Sequence, residues 1–154
     1  MNRYTIQPDD LTGEDVIALL RFHLGEMHQF SPPESCHVMP VERLRQPDVE
    51  FYSAWHDGAL AAVGAIKRLD DGRGELKSMR AAPGYRGKGA GQAMLDHLLL
   101  VARARGYGWL GLETGTPAPF EPAYRLYSRN GFTDCEPFDG YVPDVYSRFM
   151  EIRL

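Results

Sequence analysis

The stretch Met79-Arg80-Ala81-Ala82-Pro83-Gly84-Tyr85-Arg86-Gly87-Lys88-Gly89-Ala90-Gly91 decides how the rest of the chain is interpreted. Residues 74–81 have the pattern of a strand, and residues 92–105 have that of a long apolar helix. The glycines between them let successive backbone N–H groups point to one side, and a helix start adds unpaired N–H groups and partial positive charge. The stretch therefore predicts a phosphate-binding turn, with a plain strand-to-helix turn as the alternative.

The glycine spacing excludes two common phosphate motifs. Gly87, Gly89 and Gly91 do not fit G-x-G-x-x-G, and no Gly-Lys-Ser/Thr follows a four-residue gap. The segment instead matches Arg/Gln-x-x-Gly-x-Gly/Ala and resembles the acetyl-CoA pyrophosphate loop of the GNAT acetyltransferase superfamily. The resemblance implies that the pyrophosphate is held by Arg86, Gly87, Lys88, Gly89, Ala90 and Gly91.

A second stretch, residues 123–132, resembles the GNAT signature A-x-x-L-Y-x-x-x-G-F. In that family the tyrosine faces the cofactor sulfur and protonates the departing thiolate, and Tyr127 is the matching position. Taken alone, Tyr127 would read as a core aromatic with a satisfied hydroxyl. Two motifs in the family's order favour the catalytic interpretation. One departure is Phe120, where many members carry an asparagine, so no cofactor hydrogen bond is expected from that side chain.

Length, charge and composition restrict the remaining possibilities. The 154 residues suit one domain, residues 1–154, and the net charge of −4 argues against nucleic acid as a partner. No apolar run approaches a membrane span, and residues 1–10 lack a signal-peptide core, so we expect a cytoplasmic protein without a membrane partner. Cys36 and Cys135 are too few for a disulfide framework.

The hydrophobic pattern predicts an α/β (α+β) fold, with one mixed, mostly antiparallel sheet of about seven strands flanked by about four helices. This order is also the one the GNAT resemblance implies. The predicted strands are 4–7, 51–55, 59–67, 75–81, 109–113, 132–136 and 146–154, and the predicted helices are 12–28, 41–45, 92–105 and 120–130.

The expected chemistry assigns further roles. An amine of pKa ~10 must lose a proton before it attacks a thioester, which calls for a general base. Glu75 is the first candidate, because it matches a catalytic glutamate in the protein-lysine branch of the superfamily, and Glu113 is the second. The resemblance also implies that the strand before the loop splays from its neighbour, so that Met79, Arg80 and Ala81 contact the cofactor, Met79 and Ala81 through main chain.

The acceptor pocket is predicted from irregular segments. Residues 33–37, together with 77–80 and 112–115, resemble the bacterial YsnE-like branch of the superfamily. The substrate-contact candidates are Glu34, Ser35, His37, Ser78 and Thr114. The segment 139–144 could form the opposite wall, and Glu34, Asp139 and Asp144 would favour a cationic acceptor. A solvated acidic loop explains the same residues.

The five histidines are scattered and include no H-E-x-x-H, so no metal site is predicted. Neither cysteine has a recognisable histidine partner, which disfavours a covalent intermediate. The sequence therefore predicts an acetyl-CoA-dependent N-acetyltransferase that acts directly on a primary amine of a small molecule or peptide. The alternatives are a catalytically silent CoA-binding regulatory module and a nucleotide-binding protein. GNAT domains often form pairs, so the sequence leaves open whether this protein is a homodimer.

Overall fold

The computed structural model describes residues 3–37 and 39–154, and their backbone forms one seven-stranded sheet with four α-helices. Met1, Asn2 and Val38, which belong to the predicted domain 1–154, lie outside the described residues. The predicted order of elements is confirmed. In chain order the elements are β1 (Thr5–Pro8), α1 (Glu14–Phe30), α2 (Val41–Leu44), β2 (Val49–His56), β3 (Ala59–Arg68), β4 (Arg73–Ala81), α3 (Ala90–Ala104), β5 (Trp109–Gly115), α4 (Glu121–Arg129), β6 (Thr133–Asp134) and β7 (Ser147–Arg153).

The sheet has the strand order β1-β2-β3-β4-β5-β7-β6. All neighbouring strands run antiparallel except β4 and β5. These two pair in parallel at three positions, Arg73 with Trp109, Gly74 with Leu110 and Glu75 with Gly111. By contrast, β5 and β7 pair along seven positions. The β4–β5 pairing is therefore short for two central strands, and the two strands separate toward their carboxyl ends.

The helices cover the two faces of the sheet separately. Because side chains alternate along a strand, each strand contributes to both faces. On one face α3 packs Met94, Leu95 and Leu98 into a core that also contains Tyr127 of α4. On the other face α1 buries Val16, Leu19 and Leu20 against strand residues that include Phe51 and Val63. A molecule lying in the β4–β5 opening would meet α3 and α4 on one side and α1 on the other.

A β-bulge redirects β4 as it enters this opening. Lys77 pairs with Ala65 and Arg80 pairs with Val63, so two residues of β4 lie opposite the single residue Gly64. Ser78 takes up the extra residue with a φ of +56°. The Met79 side chain then lies over Gly64, where an added Cβ would come within 2.9 Å of the Met79 sulfur. The bulge thus turns Met79 toward α3 and Arg80 toward α1.

The predicted boundaries lie within about two residues of those observed, and two of the differences have a physical reason. The last helix begins at Glu121, because Ala118–Phe120 forms a one-turn 3-10 helix. The strand predicted for residues 132–136 is limited to Thr133–Asp134. Cys135 still donates its N–H to the carbonyl of Phe149, but Pro137 has no N–H with which to continue the ladder. No helix among the described residues is long and apolar enough to cross a membrane.

Candidate active site

The predicted phosphate turn forms the start of α3. Gly87 and Gly89 have φ angles of +71° and +83°, which side-chain-bearing residues rarely adopt, and Gly89 is the N-cap residue of the helix. No side chain of the described residues caps this end. The first-turn N–H groups of a helix have no acceptor within it, so they can meet an anion there. The Tyr4 hydroxyl donates to the Lys88 carbonyl over 2.7 Å and braces the turn.

Two arginines meet a carboxylate beside this turn. Arg80 and Arg86 both donate to Glu26 of α1, the latter over 3.2 Å. Burial favours the neutral acid, but the hydrogen bonds from Arg80 and then Arg86 outweigh it and lower the pKa of Glu26. Arg86 keeps half of its side chain exposed, whereas Arg80 is largely buried. No sequence motif pointed to Glu26, since its partners lie more than fifty residues away.

A cavity of about 150 Å³ lies in the β4–β5 opening. Because the two strands diverge there, residues from both faces of the sheet line it. They comprise His23, Glu26, Met27 and Phe30 of α1, His37 and Met39, residues 76–80 of β4, residues 112–114 of β5, Pro119 and Phe120, and Ala123 and Tyr127 of α4.

Tyr127 lies at the α4 wall of the cavity. Its side chain is buried, and its ring packs edge-on against Phe132 at 5.7 Å between centroids. Burial raises the pKa of the Tyr127 phenol well above its ordinary value of 10. The group is therefore protonated throughout the neutral range and can serve as a proton donor toward the cavity.

Phe120 occupies the position where an asparagine was noted as common in the family. Its ring packs over Gly115, where an added Cβ would lie only 2.6 Å from the ring Cγ. It also meets Phe30 of α1 edge-on at 6.4 Å. Phe120 thus contributes an apolar wall, and the space for its ring depends on the absence of a side chain at residue 115.

The second predicted base, Glu113, lines the cavity and contacts His37. Its Oε2 atom is in hydrogen-bond contact with Nδ1 of the His37 ring, and both side chains are partly exposed. The ring of Tyr141 lies edge-on to the His37 ring at 5.0 Å. Glu113 and His37 were predicted as separate candidates, and the fold brings them together from positions 76 residues apart.

The first predicted base, Glu75, lies behind the cavity wall rather than in it. Its side chain is 1% exposed, and it accepts hydrogen bonds from the Tyr141 hydroxyl at 2.8 Å and from Lys77 Nζ at 3.4 Å. Lys77 also donates to the Tyr141 hydroxyl and to the main-chain carbonyl of His37. Burial, and then the Glu75 charge, raise the pKa of Tyr141, so its hydroxyl remains a donor. These contacts connect Glu75 to His37 and, through His37, to Glu113.

The other predicted substrate residues are placed differently. Ser78 and Thr114 line the cavity. Glu34 is exposed, and Ser35 is buried and donates to Asp144 over 2.5 Å. Asp139 pairs with Lys67. None of the described residues 139–144, predicted as the opposite wall, lines the cavity, and the segment contacts residues 33–37 through Asp144, which accepts from Ser35, and through the Tyr141 ring against His37.

His23, for which no role was predicted, is buried at the α1 wall with its Nδ1 atom unpartnered among the described residues. Burial lowers the pKa of His23 to about 4, and the Arg80 charge adds to this effect. Across residues 3–37 and 39–154, no three His, Cys, Asp or Glu side chains are grouped so that they could hold a metal ion.

Comparison with known proteins identifies the family. The family model described as "Acetyltransferase (GNAT) family" matches residues 16–132. The chain belongs to the GNAT acetyltransferases. It is 49% identical over 151 residues to the uncharacterised N-acetyltransferase YedL of Escherichia coli, with 98% of this chain and 95% of that protein covered. It is 47% identical over 149 residues to the uncharacterised N-acetyltransferase YsnE of Bacillus subtilis, covering 97% and 99%. The predicted family and branch are confirmed.

Solved structures agree with this GNAT assignment. An acyl-CoA N-acyltransferase structure from Klebsiella pneumoniae superposes with a TM-score of 0.79 at 31% identity, covering 98% of this chain and 97% of that one. The PaiA N-acetyltransferase of Thermoplasma acidophilum, solved in complex with coenzyme A, shares the fold with a TM-score of 0.73 at 17% identity over the full length of both chains. The expected fold and the expected enzyme class, an acyl-CoA N-acyltransferase, are confirmed.

Proposed function

We propose that this GNAT protein transfers the acetyl group of acetyl-CoA directly to a primary amine of a small molecule or peptide. The proposal rests on the cavity in the β4–β5 opening, which is lined by the buried Tyr127, together with the uncapped start of α3. The helix start can bind the pyrophosphate anion of acetyl-CoA, and the tyrosine can give a proton to the thiolate that leaves the thioester.

The residues present fit the coenzyme at each part of the opening. The N–H groups at the start of α3, with Arg86 and Lys88, would hold the pyrophosphate, because the glycine conformations leave these groups uncovered. The main-chain groups of Met79 and Ala81, where β4 has left β5, would pair with the pantetheine arm, with Arg80 alongside. Tyr127 would protonate the departing sulfur.

The acceptor amine is expected to approach from the α1 face. The α3 and α4 face is filled by core side chains around Tyr127, whereas the α1 face carries His37, Glu113, Ser78 and the Glu26 carboxylate at the cavity. The position of the base follows from burial. Of the two predicted carboxylates, Glu113 reaches the cavity, and Glu75 is enclosed by Lys77 and Tyr141. We therefore propose that the general base acts at or next to Glu113 and not at Glu75.

The experiment that tests the proposal measures both binding and turnover. Acetyl-CoA at about 100 times its dissociation constant should stabilise the fold by about 2.7 kcal/mol and raise Tm by roughly 5–10 °C. A panel of amino acids, polyamines, aminoglycosides and peptides with free amines, assayed by release of the CoA thiol, should yield at least one acceptor. Arg86→Ala should weaken acetyl-CoA binding, while the matched variant Arg125→Ala, exposed on α4, should not.

The alternatives give different results in the same experiment. A silent CoA-binding module would show the rise in Tm with CoA but no turnover with any amine. A nucleotide-binding protein would show a rise in Tm with ATP that competes with CoA. Absence of any Tm change with acetyl-CoA would contradict the proposed function itself.

A further inference from the structure

His37 and Glu113 form a paired unit at the cavity. The Glu113 carboxylate meets Nδ1 of the ring, and the two side chains are 11% and 28% exposed, Glu113 being the more buried. A neutral imidazole carries one N–H and one lone pair, and the hydrogen bond made by one nitrogen decides which is which. A carboxylate can only accept at Nδ1, so the proton lies there and the lone pair lies on Nε2.

The His37 ring is held by contacts from three separate elements. Glu113 of β5 holds Nδ1, Lys77 of β4 donates to the His37 carbonyl over 3.1 Å, and Tyr141 packs its ring edge-on at 5.0 Å. Such support fixes the orientation of a ring, which matters because proton transfer requires a defined geometry. A residue that only contacted substrate would not need a carboxylate on its far nitrogen.

We propose that His37 Nε2 is the atom that takes the proton from the acceptor amine, and that Glu113 is a positioning residue that fixes the tautomer and stabilises the imidazolium. The inference rests on the proposed function. It changes the part given to each residue, since His37 was expected to contact substrate and Glu113 to act as the base.

Atoms and charge are conserved in the proposed reaction. His37 Nε2 takes one proton from the acceptor ammonium and passes it to solvent. The amine nitrogen attacks the thioester carbonyl, so that the C–N bond forms and the C–S bond breaks. The departing sulfur takes the Tyr127 proton, and the phenolate regains one from the amide nitrogen. One acceptor ammonium and one acetyl-CoA give one amide, one CoA thiol and one proton in solution.

Two variants separate His37 from Glu113. With the fastest amine from the panel, His37→Asn should lower kcat at least about 10²-fold with the KM for acetyl-CoA unchanged, the size expected for loss of a general base. Glu113→Gln, which keeps a hydrogen-bond acceptor, should lose less. His28→Asn, in the last turn of α1 and away from the cavity, is the matched control and should retain wild-type rates.

The dependence of rate on pH supplies a second measurement. The charged and titratable groups around the His37 ring are Glu113, Lys77, Tyr141 and Asp144. In the wild type, log kcat/KM should rise with pH at unit slope to a plateau, and His37→Asn should remove this limb. If His37→Asn keeps the rate and the limb while Glu113→Gln loses both, Glu113 is the base and the proposal is wrong.

A third measurement needs no acceptor. Nitrogen-15 NMR at pH 8 distinguishes the two tautomers of a histidine ring, and the His37 signals can be assigned because they are missing from the His37→Asn spectrum. The His37 ring should be in the Nδ1–H form in the wild type and in a mixture of the two tautomers in Glu113→Gln. A wild-type ring protonated at Nε2 would overturn the proposal. Loss of acetyl-CoA binding or of turnover in the wild-type protein would instead contradict the proposed function.

Discussion

Single residues at the cavity owe their protonation states to burial. Tyr127 and His23 line the same cavity, and burial shifts the pKa of each toward its neutral form, upward for the phenol and downward for the imidazole. The effect on Tyr127 suits an acid that must keep its proton until the thiolate leaves. The effect on His23 has a consequence for stability, because the folded protein resists protonation there.

We expect Tyr127→Phe to lower kcat by about 10²-fold or more, because the departing thiolate loses its proton donor while the ring still fills its site. The acetyl-CoA dissociation constant should stay within about twofold. The control is Tyr124→Phe on the same helix, whose hydroxyl reaches Asp134 at 3.3 Å instead of the cavity. A Tyr127→Phe enzyme with wild-type kcat would show that sulfur is protonated by another group.

His23 should make the fold less stable at low pH. Its folded pKa of about 4 lies below the ordinary 6.5, so the unfolded chain binds the extra proton between these values. The contribution of His23 to the free energy of unfolding is therefore complete above pH 6.5. It declines as the pH falls toward 4, by about 3 kcal/mol at most. Urea unfolding at pH 7, 6 and 5 should show a shallower decline for His23→Leu than for the wild type. Equal slopes in the two proteins would contradict this prediction.

At the scale of elements, the active site depends on how β5 is followed by α4. The Phe120 ring lies over Gly115 at the end of β5 and forms part of the cavity wall. Since an added Cβ would overlap the ring, the position of the ring and the identity of residue 115 are linked. The two residues lie five apart in the sequence, and Phe120 is the last residue of the one-turn 3-10 helix that follows β5.

Gly115→Ala should therefore push the Phe120 ring toward the cavity. We expect a loss of stability of about 1–3 kcal/mol, as for other overpacked sites, and a higher KM for acetyl-CoA. The double variant Gly115→Ala/Phe120→Ala removes the overlap and should recover the acetyl-CoA KM of Phe120→Ala alone. If Gly115→Ala binds acetyl-CoA as the wild type does, the Phe120 ring does not move into the cavity and the prediction is wrong.

The sequence predicted the elements and the glycine-rich strand-to-helix turn well because both depend on local signals. Alternating or helical apolar patterns fix the strands and helices, and the glycines at 87 and 89 are required by their positive φ angles. The pairing of His37 with Glu113, the enclosure of Glu75 by Tyr141 and the contact of Glu26 with two arginines join distant parts of the chain. No local pattern encodes such contacts, and only the fold reveals which of two plausible carboxylates reaches the cavity.

At the scale of the whole molecule, the proposed function places the coenzyme at the start of α3 and the acceptor beside α1 and His37, on opposite sides of the opening in the sheet. The two substrates could then be bound at the same time, which favours direct transfer. The two cysteines also favour direct transfer. Burial, and to a lesser extent nearby acidic groups, raises the pKa of the Cys36 thiol, and the same causes raise the pKa of the Cys135 thiol to about 11. Such thiols are poor nucleophiles at neutral pH.

We expect initial-rate plots to intersect, as for a ternary complex, and the double variant Cys36→Ala/Cys135→Ala to keep kcat within about threefold. The physical reason is that neither thiolate is populated enough to carry the acetyl group. Electrospray mass spectrometry of the enzyme mixed with acetyl-CoA alone should show no covalent gain of an acetyl group. Parallel plots, or an acetylated enzyme that disappears in the double variant, would contradict direct transfer.

The three-position join between β4 and β5 has a consequence for the empty enzyme. It divides the sheet into a four-stranded half, β1 to β4, and a three-stranded half, β5, β7 and β6. An extended ligand between them would take the place of a missing strand, donating and accepting where a neighbour otherwise would. Hydrogen–deuterium exchange should then slow at residues 77–81 when coenzyme A is added, while amides shared by β2 and β3 exchange as before. Recognition of the coenzyme would amount to completion of the protein's own backbone architecture.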